Sequence, residues 1–214
     1  MLQNLLQMTF VFFVVLFLWS RPSNGAEVPS PTAEIKETIQ NLKNVVGDPA
    51  LKAEARKQER RAKLKELIVE RMDFPEMAKR SLGRYWRNIT ESQRRNYVDT
   101  FSTFLETFYR KSVFESVEFI NSLDIKYLKE RLDEDFAEVD VQIVLPDNTV
   151  RELTFRLHLI NGHWKAYDIV IEHISTIGNW RAQFDTVINK HSFEELMRIL
   201  KERIEKEKIE VLNK

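Results

Sequence analysis

An aspartate, a histidine and a serine lie close together near the end of a predicted strand, and these residue types could form a hydrolytic triad. They are Asp168, His173 and Ser175. A serine nucleophile needs a strained turn such as Gly-x-Ser-x-Gly, and this chain has no such motif. Alternation along one strand would also place His173 and Ser175 on one face and Asp168 on the other. The sequence therefore argues against hydrolysis at this position.

The four histidines could instead bind a metal. His158 and His163 flank one predicted hairpin, while His173 and His191 stand apart. Zinc sites use three or four ligands, and no third ligand lies at a suitable spacing. The chain has no cysteine, which excludes thiolate sites, disulfides and a lipid-modified N-terminal cysteine. We predict no metal and no cofactor.

The charge is balanced, with 33 basic and 33 acidic residues, so we predict no nucleic-acid partner. One run is mostly basic, although Glu54, Glu59 and Glu66 interrupt it. We interpret it as a solvated helix face, with docking on acidic headgroups or a partner as the alternative. Its basic residues are Lys52, Arg56, Lys57, Arg60, Arg61, Lys63 and Lys65.

The N-terminus is typical of an export signal. Residues 9–19 are almost wholly apolar, and polar and small residues follow up to Ala26. An uncleaved anchor is the alternative, but the run is shorter than the ~20 apolar residues that span a bilayer. We predict a signal peptide at residues 1–26 and a single domain at residues 27–214.

The first half of this domain is predicted to be helical. Helices are expected from Pro31 to a stop at Gly47, from about residue 50 to 71, and from Asp73 to a cap at Gly83. Thr90 and Gln93 form a capping box. The helix that they open carries an apolar stripe of Tyr97, Phe101, Phe104, Leu105 and Phe108.

The second half is predicted to contain four strands, at about residues 118–131, 136–145, 149–160 and 163–174. The middle two alternate between apolar and polar residues, which is typical of an antiparallel sheet with one wet face. Asn161-Gly162 is a strong hairpin signal. The fourth strand is apolar on both faces, with Trp164, Ala166, Val170 and Ile174 on one and Tyr167, Ile169 and Ile171 on the other. Two helices follow, at about residues 176–189 and after a cap at Ser192.

Several separated patterns resemble the MlaC, or toluene-tolerance, family, in the family's order, and cover roughly residues 35–205. They are Phe74-Pro75-Glu76-Met77-Ala78 with Leu82-Gly83 and Trp86, then Gln93 with Phe101 and Phe104, then the stretch from Trp164 to Phe184. The chain departs from the family pattern at His173 and His191, where glycine is usual. Such glycines often mean a positive φ or a close backbone approach, so local geometry at these two positions is in question.

The resemblance implies an α+β fold in which a curved four-stranded antiparallel sheet and about six or seven helices enclose an apolar cavity. It implies a periplasmic, non-enzymatic carrier that takes phospholipid tails into this cavity. The implied partners are an outer-membrane lipoprotein complex and an inner-membrane ABC transporter with a lipid-binding ring subunit. The carrier would be a monomer that helps to maintain outer-membrane lipid asymmetry.

The candidate lipid-binding residues are the apolar positions of the stripe and the strands: Phe101, Phe104, Leu105, Phe108, Val139, Val141, Ile143, Phe155, Leu157, Leu159, Tyr167 and Ile169. A structural role is expected for Trp86, Trp164, Asp168, Arg181 and Phe184, with Asp168 bonded to a nearby backbone N–H or to Arg181.

Other interpretations of the same residues remain. The apolar positions would also suit an ordinary core, or a site for a hopanoid or a free fatty acid. A small enzyme with a cone-shaped pocket would need inward-facing ionisable groups with perturbed pKa values. The inward strand positions are apolar, which argues against an enzyme.

Overall fold

The protein has an α+β fold, as the sequence indicates. The computed structural model describes the backbone of residues 28–212, and the side chains of these residues except 109–116, 118, 208 and 210–212. The predicted signal peptide, residues 1–26, lies outside the described residues. Within them, six α-helices accompany one antiparallel sheet of five strands, whereas four strands were expected.

The helices are α1 (Pro31–Gly47), α2 (Lys57–Glu70), α3 (Phe74–Leu82), α4 (Glu91–Glu118), α5 (Thr176–Lys190) and α6 (Phe193–Leu212). The strands are β1 (Asp124–Asp133), β2 (Phe136–Val144), β3 (Val150–Ile160), β4 (His163–Ile171) and β5 (Ile174–Ser175). Short 3₁₀ segments cover Pro49–Leu51, Glu54–Arg56, Gly83–Arg87 and Ile120–Ser122.

Several helix ends lie where the capping residues place them. The Asp73 carboxylate accepts the Glu76 N–H at 3.1 Å at the start of α3. Gly83 ends α3 with φ +53°, a conformation that glycine adopts without strain. Thr90 and Gln93 form the expected reciprocal pair, in which each accepts the other's backbone N–H.

Two predicted boundaries are wrong. The second helix begins at Lys57 instead of residue 50, because Asp48 caps a short 3₁₀ turn and a second 3₁₀ turn follows it. The first strand begins at Asp124 instead of residue 118, because α4 continues to Glu118.

The strands form a meander in the order β1-β2-β3-β4-β5, so each hairpin joins neighbours in the sheet. Asn161 and Gly162 both have positive φ, 52° and 82°, as the expected tight turn requires. The chain also turns sharply after β4 through Glu172 and His173, with φ 47° and 67°. This fourth hairpin separates β5 from β4, and it is the reason why the predicted fourth strand is two strands.

A bulge at Tyr167 changes which residues of β4 share a face. Leu157 pairs with Ala166, but Arg156 pairs with Asp168, so Tyr167 has no partner on β3. Beyond the bulge, Phe155 pairs with Ile169. The predicted faces of this strand are therefore wrong: Trp164, Ala166, Ile169 and Ile171 share the apolar face, and Asp168 and Val170 share the polar face.

Apolar side chains form three clusters. The largest lies among α3, α4, α5 and α6 and includes Tyr97, Phe101 and Trp180. A second covers the apolar face of the sheet, where Ile35 of α1 packs on it. A third joins α1 and α2 to the end of α4, around Leu64 and Ile120.

The described residues show no enclosed apolar cavity between sheet and helices, so this part of the fold prediction is not confirmed. Two open depressions of about 540 and 620 Å³ lie elsewhere, one beside Lys43 and Asn121 and one beside Lys201 and Ile209. Most of the predicted stripe on α4 is buried against other helices, whereas Phe108, the last of its residues, is 45 % exposed. In residues 28–212, no helix is long and apolar enough to cross a membrane.

Candidate functional site

The apolar face of the sheet is the feature best suited to hold a ligand, because its burial changes along its length. At one end, Ala137, Leu157 and Ala166 form a row across β2, β3 and β4, and each is at most 7 % exposed. In the next row Val139 is buried, but Phe155 and Ile169 are only half-buried. In the row after that, Ile171 is 48 % exposed.

The face therefore opens toward the β2–β3 and β4–β5 turns. Half-buried Ile143 and Leu153 belong to this open part, and Ile174, 66 % exposed, extends it onto β5. A contiguous patch of apolar side chains that other elements do not cover is typical of a binding surface.

The twelve predicted lipid-binding residues do not lie in one place. Seven line the apolar face of the sheet: Val139, Val141, Ile143, Phe155, Leu157, Leu159 and Ile169. Among these, Val139, Val141 and Leu157 are buried, and the other four are half-buried. Their role as ligand contacts stays a prediction.

The α4 stripe lies in the helical cluster instead. Phe101, Phe104 and Leu105 are at most 4 % exposed and pack with residues of α5 and α6. Phe104 contacts Trp180 edge to face, with ring centroids 4.9 Å apart. Phe108 is 45 % exposed and contacts the same tryptophan at 5.2 Å.

Tyr167 belongs to the helical cluster as well, because it follows Ala166 and points away from the apolar face. Its ring contacts Phe136 edge to face at 5.7 Å, and the Arg80 guanidinium lies 4.1 Å from the ring centroid.

Sequence reasoning did not assign Leu153, Ile171 and Ile174 to the candidate site. The alternation of β3 already placed Leu153 beside Phe155. Ile171 reaches this face because the bulge shifts the register of β4, and Ile174 reaches it because the β4–β5 hairpin pairs it with Ile171. The Glu172-His173 pair is the one local signal of that hairpin, and it lacks the glycine that usually marks such a turn.

Asp168 connects the sheet to the start of α5. Its carboxylate is 3 % exposed and accepts bonds from the Ser175 hydroxyl at 2.6 Å, the Ile177 N–H at 3.0 Å and the Arg156 guanidinium at 3.2 Å. The predicted backbone partner is confirmed, and the predicted alternative, Arg181, is not a partner.

The same geometry corrects the argument about a hydrolytic triad. Asp168 and Ser175 share a face, because the bulge shifts the register, and their side chains are bonded directly. The histidine is absent from the pair, since the His173 side chain is 89 % exposed and lies 3.8 Å from Glu152. Among the described residues, no histidine is therefore placed to take a proton from Ser175, whose hydroxyl donates to the Asp168 carboxylate.

Two buried carboxylates fix the helices to the β3–β4 hairpin. Glu34 of α1 accepts the Trp164 N–H and contacts His163 Nδ1 at 2.8 Å. Asp73 of α3 contacts His158 Nδ1 at 2.7 Å. The two hairpin histidines thus serve as partners of single carboxylates, and no group of three or more potential ligands that could hold a metal occurs in the described part of the chain.

The remaining signature residues pack between elements. The Trp164 indole N–H donates to the Pro29 carbonyl at 3.0 Å, which ties the start of the domain to β4. Phe184 is buried in the helical cluster, and Trp86 packs on its edge. The Arg181 side chain lies against Gly83, where a Cβ would come within 3.0 Å of its Cδ.

The opposite face of the sheet carries a network of ion pairs. Arg131 of β1 bonds Glu138 and Asp140 of β2, and Arg156 of β3 bonds Glu138 and Asp168. Burial alone would raise the pKa of Glu138, but hydrogen bonds from Arg131 and Arg156 outweigh it and hold this pKa below its usual value. The bond from Arg131 likewise lowers the pKa of Asp140.

Fold and site together define an α+β domain with a meander sheet, one charged face and one half-open apolar face. A solved structure with this fold is the phospholipid-binding protein from Ralstonia solanacearum, determined in complex with a phospholipid at 1.53 Å. It is 23 % identical, with a TM-score of 0.68, over 84 % of this chain and 99 % of that one. No curated protein matches the chain.

The chain belongs to the MlaC family. The model of that family, described as MlaC protein, matches residues 36–202. The match contains the apolar face of the sheet, the α4 stripe and Asp168, so the resemblance in the sequence is confirmed.

Proposed function

We propose that this protein is a periplasmic phospholipid carrier and not an enzyme. The observation that carries the proposal is the half-open apolar face, where Phe155, Ile169 and Ile171 follow one another across β3 and β4. Membership of the MlaC family supports a role in lipid binding and transport. The fold shared with a phospholipid-binding protein supports the same ligand class.

In this proposal the acyl tails lie along the apolar face, and the headgroup stays at the exposed end near Ile171. Each CH₂ removed from water contributes about 0.8 kcal/mol, so two long tails leave a bilayer only if they gain an apolar surface elsewhere. Binding alone then lowers the barrier to transfer, without covalent chemistry. An enclosed cavity would form as the lipid separates side chains that pack together in its absence.

The partners in this proposal are those of a lipid shuttle. The protein exchanges phospholipid with an outer-membrane lipoprotein complex and with an inner-membrane ABC transporter that has a lipid-binding ring subunit. It acts as a monomer and helps to maintain outer-membrane lipid asymmetry, which underlies toluene tolerance. Family membership supports this assignment.

Two neighbouring residues of β4 provide a matched test. Ile169 lies on the apolar face and Val170 on the charged face, and both are half-buried. Ile169→Asp places a charge in the proposed path of the tails, whereas Val170→Asp makes nearly the same change on the other side of the strand. We expect Ile169→Asp to lower the bound phospholipid by at least about tenfold relative to Val170→Asp, because a carboxylate is costly in contact with hydrocarbon.

The measurement is mass spectrometry of the lipid extracted from each folded variant, purified without detergent. Circular dichroism confirms that both variants are folded. Equal lipid in the two variants would remove the apolar face of the sheet from the site. A hopanoid or free fatty acid in place of phospholipid would keep the site and change the ligand.

A further inference from the structure

The open part of the apolar face and the C-terminal end of α1 lie at the same end of the molecule. Helix α1 runs along β1 in the opposite direction, since the Thr32 N–H bonds Glu130 at 2.8 Å and Lys36 lies over the Tyr127 ring at 4.9 Å. At the other end of α1, the Lys43 carbonyl accepts a bond from Asn121, just before β1 begins. This is also the end at which the β2–β3 and β4–β5 turns lie.

A basic segment starts at this end. We define it as residues 49–61, which contain five basic and two acidic residues, a net charge of +3. The rest of residues 28–212 has 26 basic and 30 acidic residues, a net charge of −4. This segment is therefore locally basic, although the total charge of the protein is close to zero.

Some cations of the basic segment have no carboxylate partner in an ion pair. Its two carboxylates are engaged, in pairs between Lys57 and Glu54 at 2.7 Å and between Arg56 and Glu59 at 2.9 Å. Lys52 and Arg61 form no ion pair with any residue described in the structure. Lys52 is exposed, so its charge is available to an anionic partner, whereas Arg61 is half-buried and its Nε is buried.

Exposed apolar side chains accompany the basic segment at this end. Phe119, 67 % exposed, precedes the turn that contains Asn121. Ile171 and Ile174, 48 % and 66 % exposed, flank the β4–β5 turn. Cations next to exposed apolar groups are typical of proteins that bind at a bilayer interface.

We propose that this end docks on the surface of a bilayer that contains anionic phospholipid. The basic segment faces the headgroups, and Phe119 and Ile174 reach the boundary between headgroups and tails. This proposal rests on the carrier function and adds the surface at which cargo is exchanged. It orients the open part of the apolar face toward the lipid that would enter it.

The test is flotation of the protein, beginning at residue 27, with vesicles of phosphatidylcholine alone or with phosphatidylglycerol added. We expect binding to the anionic vesicles only, and we expect added salt to weaken it, because exposed charges are screened. Each basic residue near such a surface contributes about 1 kcal/mol, so K52E/R61E should bind at least about tenfold more weakly.

The matched control is K201E/K206E, which changes the net charge equally on α6. Lys201 and Lys206 are exposed, and α6 packs in the helical cluster, which contains no residue of the basic segment. The control should bind anionic vesicles as the unmodified protein does. Equal loss in the two variants would overturn the proposal, as would equal binding to neutral and anionic vesicles.

The docking proposal can fail without the carrier proposal. K52E/R61E should retain its co-purified phospholipid, because the substituted residues lie outside the apolar face of the sheet. Loss of bound lipid in this folded variant would overturn the assignment of the basic segment to docking alone.

Discussion

Asp168 is a buried carboxylate whose oxygens all have donors, and this explains its place in the family signature. One oxygen accepts from the Ile177 N–H, and the other accepts from Ser175 and Arg156. We infer a structural role, which fixes α5 to the sheet. Asp168→Asn places an amide donor against the Arg156 donor and should lower the free energy of unfolding by about 2 kcal/mol.

Urea unfolding measures this loss, and the control is Asp147→Asn. Asp147 is exposed, and its carboxylate accepts the Thr149 N–H in a turn. Its substitution should therefore lower the free energy of unfolding far less. Phospholipid bound per folded molecule should be unchanged in Asp168→Asn. A stable variant that has lost its lipid would show that Asp168 acts in binding instead.

His173 is in the left-handed region, with φ 67°, a conformation that glycine adopts without strain. Its side chain is 89 % exposed and has one weak contact with Glu152. His173→Gly should therefore raise the free energy of unfolding by about 1 kcal/mol, because the left-handed conformation costs about that much in a residue with a Cβ.

His191 provides the comparison for this prediction. It is the second departure from the expected family pattern, but its φ is −133°, so glycine has no left-handed conformation to relieve there. His191→Gly should not raise the free energy of unfolding, since glycine only increases the conformational freedom of the unfolded chain. Equal effects at the two positions, measured by thermal unfolding, would contradict this account of the β4–β5 turn.

At the scale of the elements, alternation along the strands predicted the sheet but not its bulge. The middle strands, β2 and β3, follow strict alternation, and their apolar faces are as expected. One extra residue, Tyr167, then reverses the faces of the rest of β4. A bulge has no clear sequence signal, so the placement of Asp168, Ile169 and Ile171 required the structure.

The helices show a second limit of prediction from sequence. A periodic stripe indicates which side of α4 is buried, but not what covers it. On this basis the sequence predicts that Phe101 and Phe104 line a lipid cavity together with the sheet, and this role stays a prediction. In the structure they pack with Trp180 and Phe184, which come from a helix far along the chain. Capping residues act locally, which is why helix ends such as Asp73 and Thr90 were predicted well.

The ion pairs between β1 and β2 should make stability depend on pH. The pKa values of Glu138 and Asp140 are lowered in the folded protein, from ordinary values of 4.5 and 3.8. Their contribution is therefore present above those values and is lost as the pH falls through the folded-state pKa values. Arg131→Gln should lower the free energy of unfolding by about 1 kcal/mol at neutral pH, since these pairs are partly exposed.

Arg131→Gln and the unmodified protein should differ less in their free energy of unfolding as the pH falls below 4.5. The reason is that protonated carboxyls no longer attract the guanidinium. Urea unfolding over a pH series measures this difference. Lys126→Gln is the control, because Lys126 pairs only at 3.8 Å with exposed Asp124. A difference that stays constant with pH would contradict the assignment.

At the scale of the whole molecule, the distribution of apolar surface is uneven. The helical cluster is closely packed around Phe101 and Leu200, each at most 1 % exposed. The apolar face of the sheet is packed by Ile35 at one end and half-open at the other. A rigid helical core beside a partly open sheet face suits a protein that must accept and release an apolar ligand.

The most direct test of the central claim is the lipid content of the unmodified protein. The protein would be exported to a bacterial periplasm, purified without detergent and denatured, and its organic extract would be analysed by mass spectrometry. The carrier function predicts phospholipid in stoichiometric amount, with acyl chains and headgroup identified in the same spectrum. Folded protein that yields no phospholipid would contradict it.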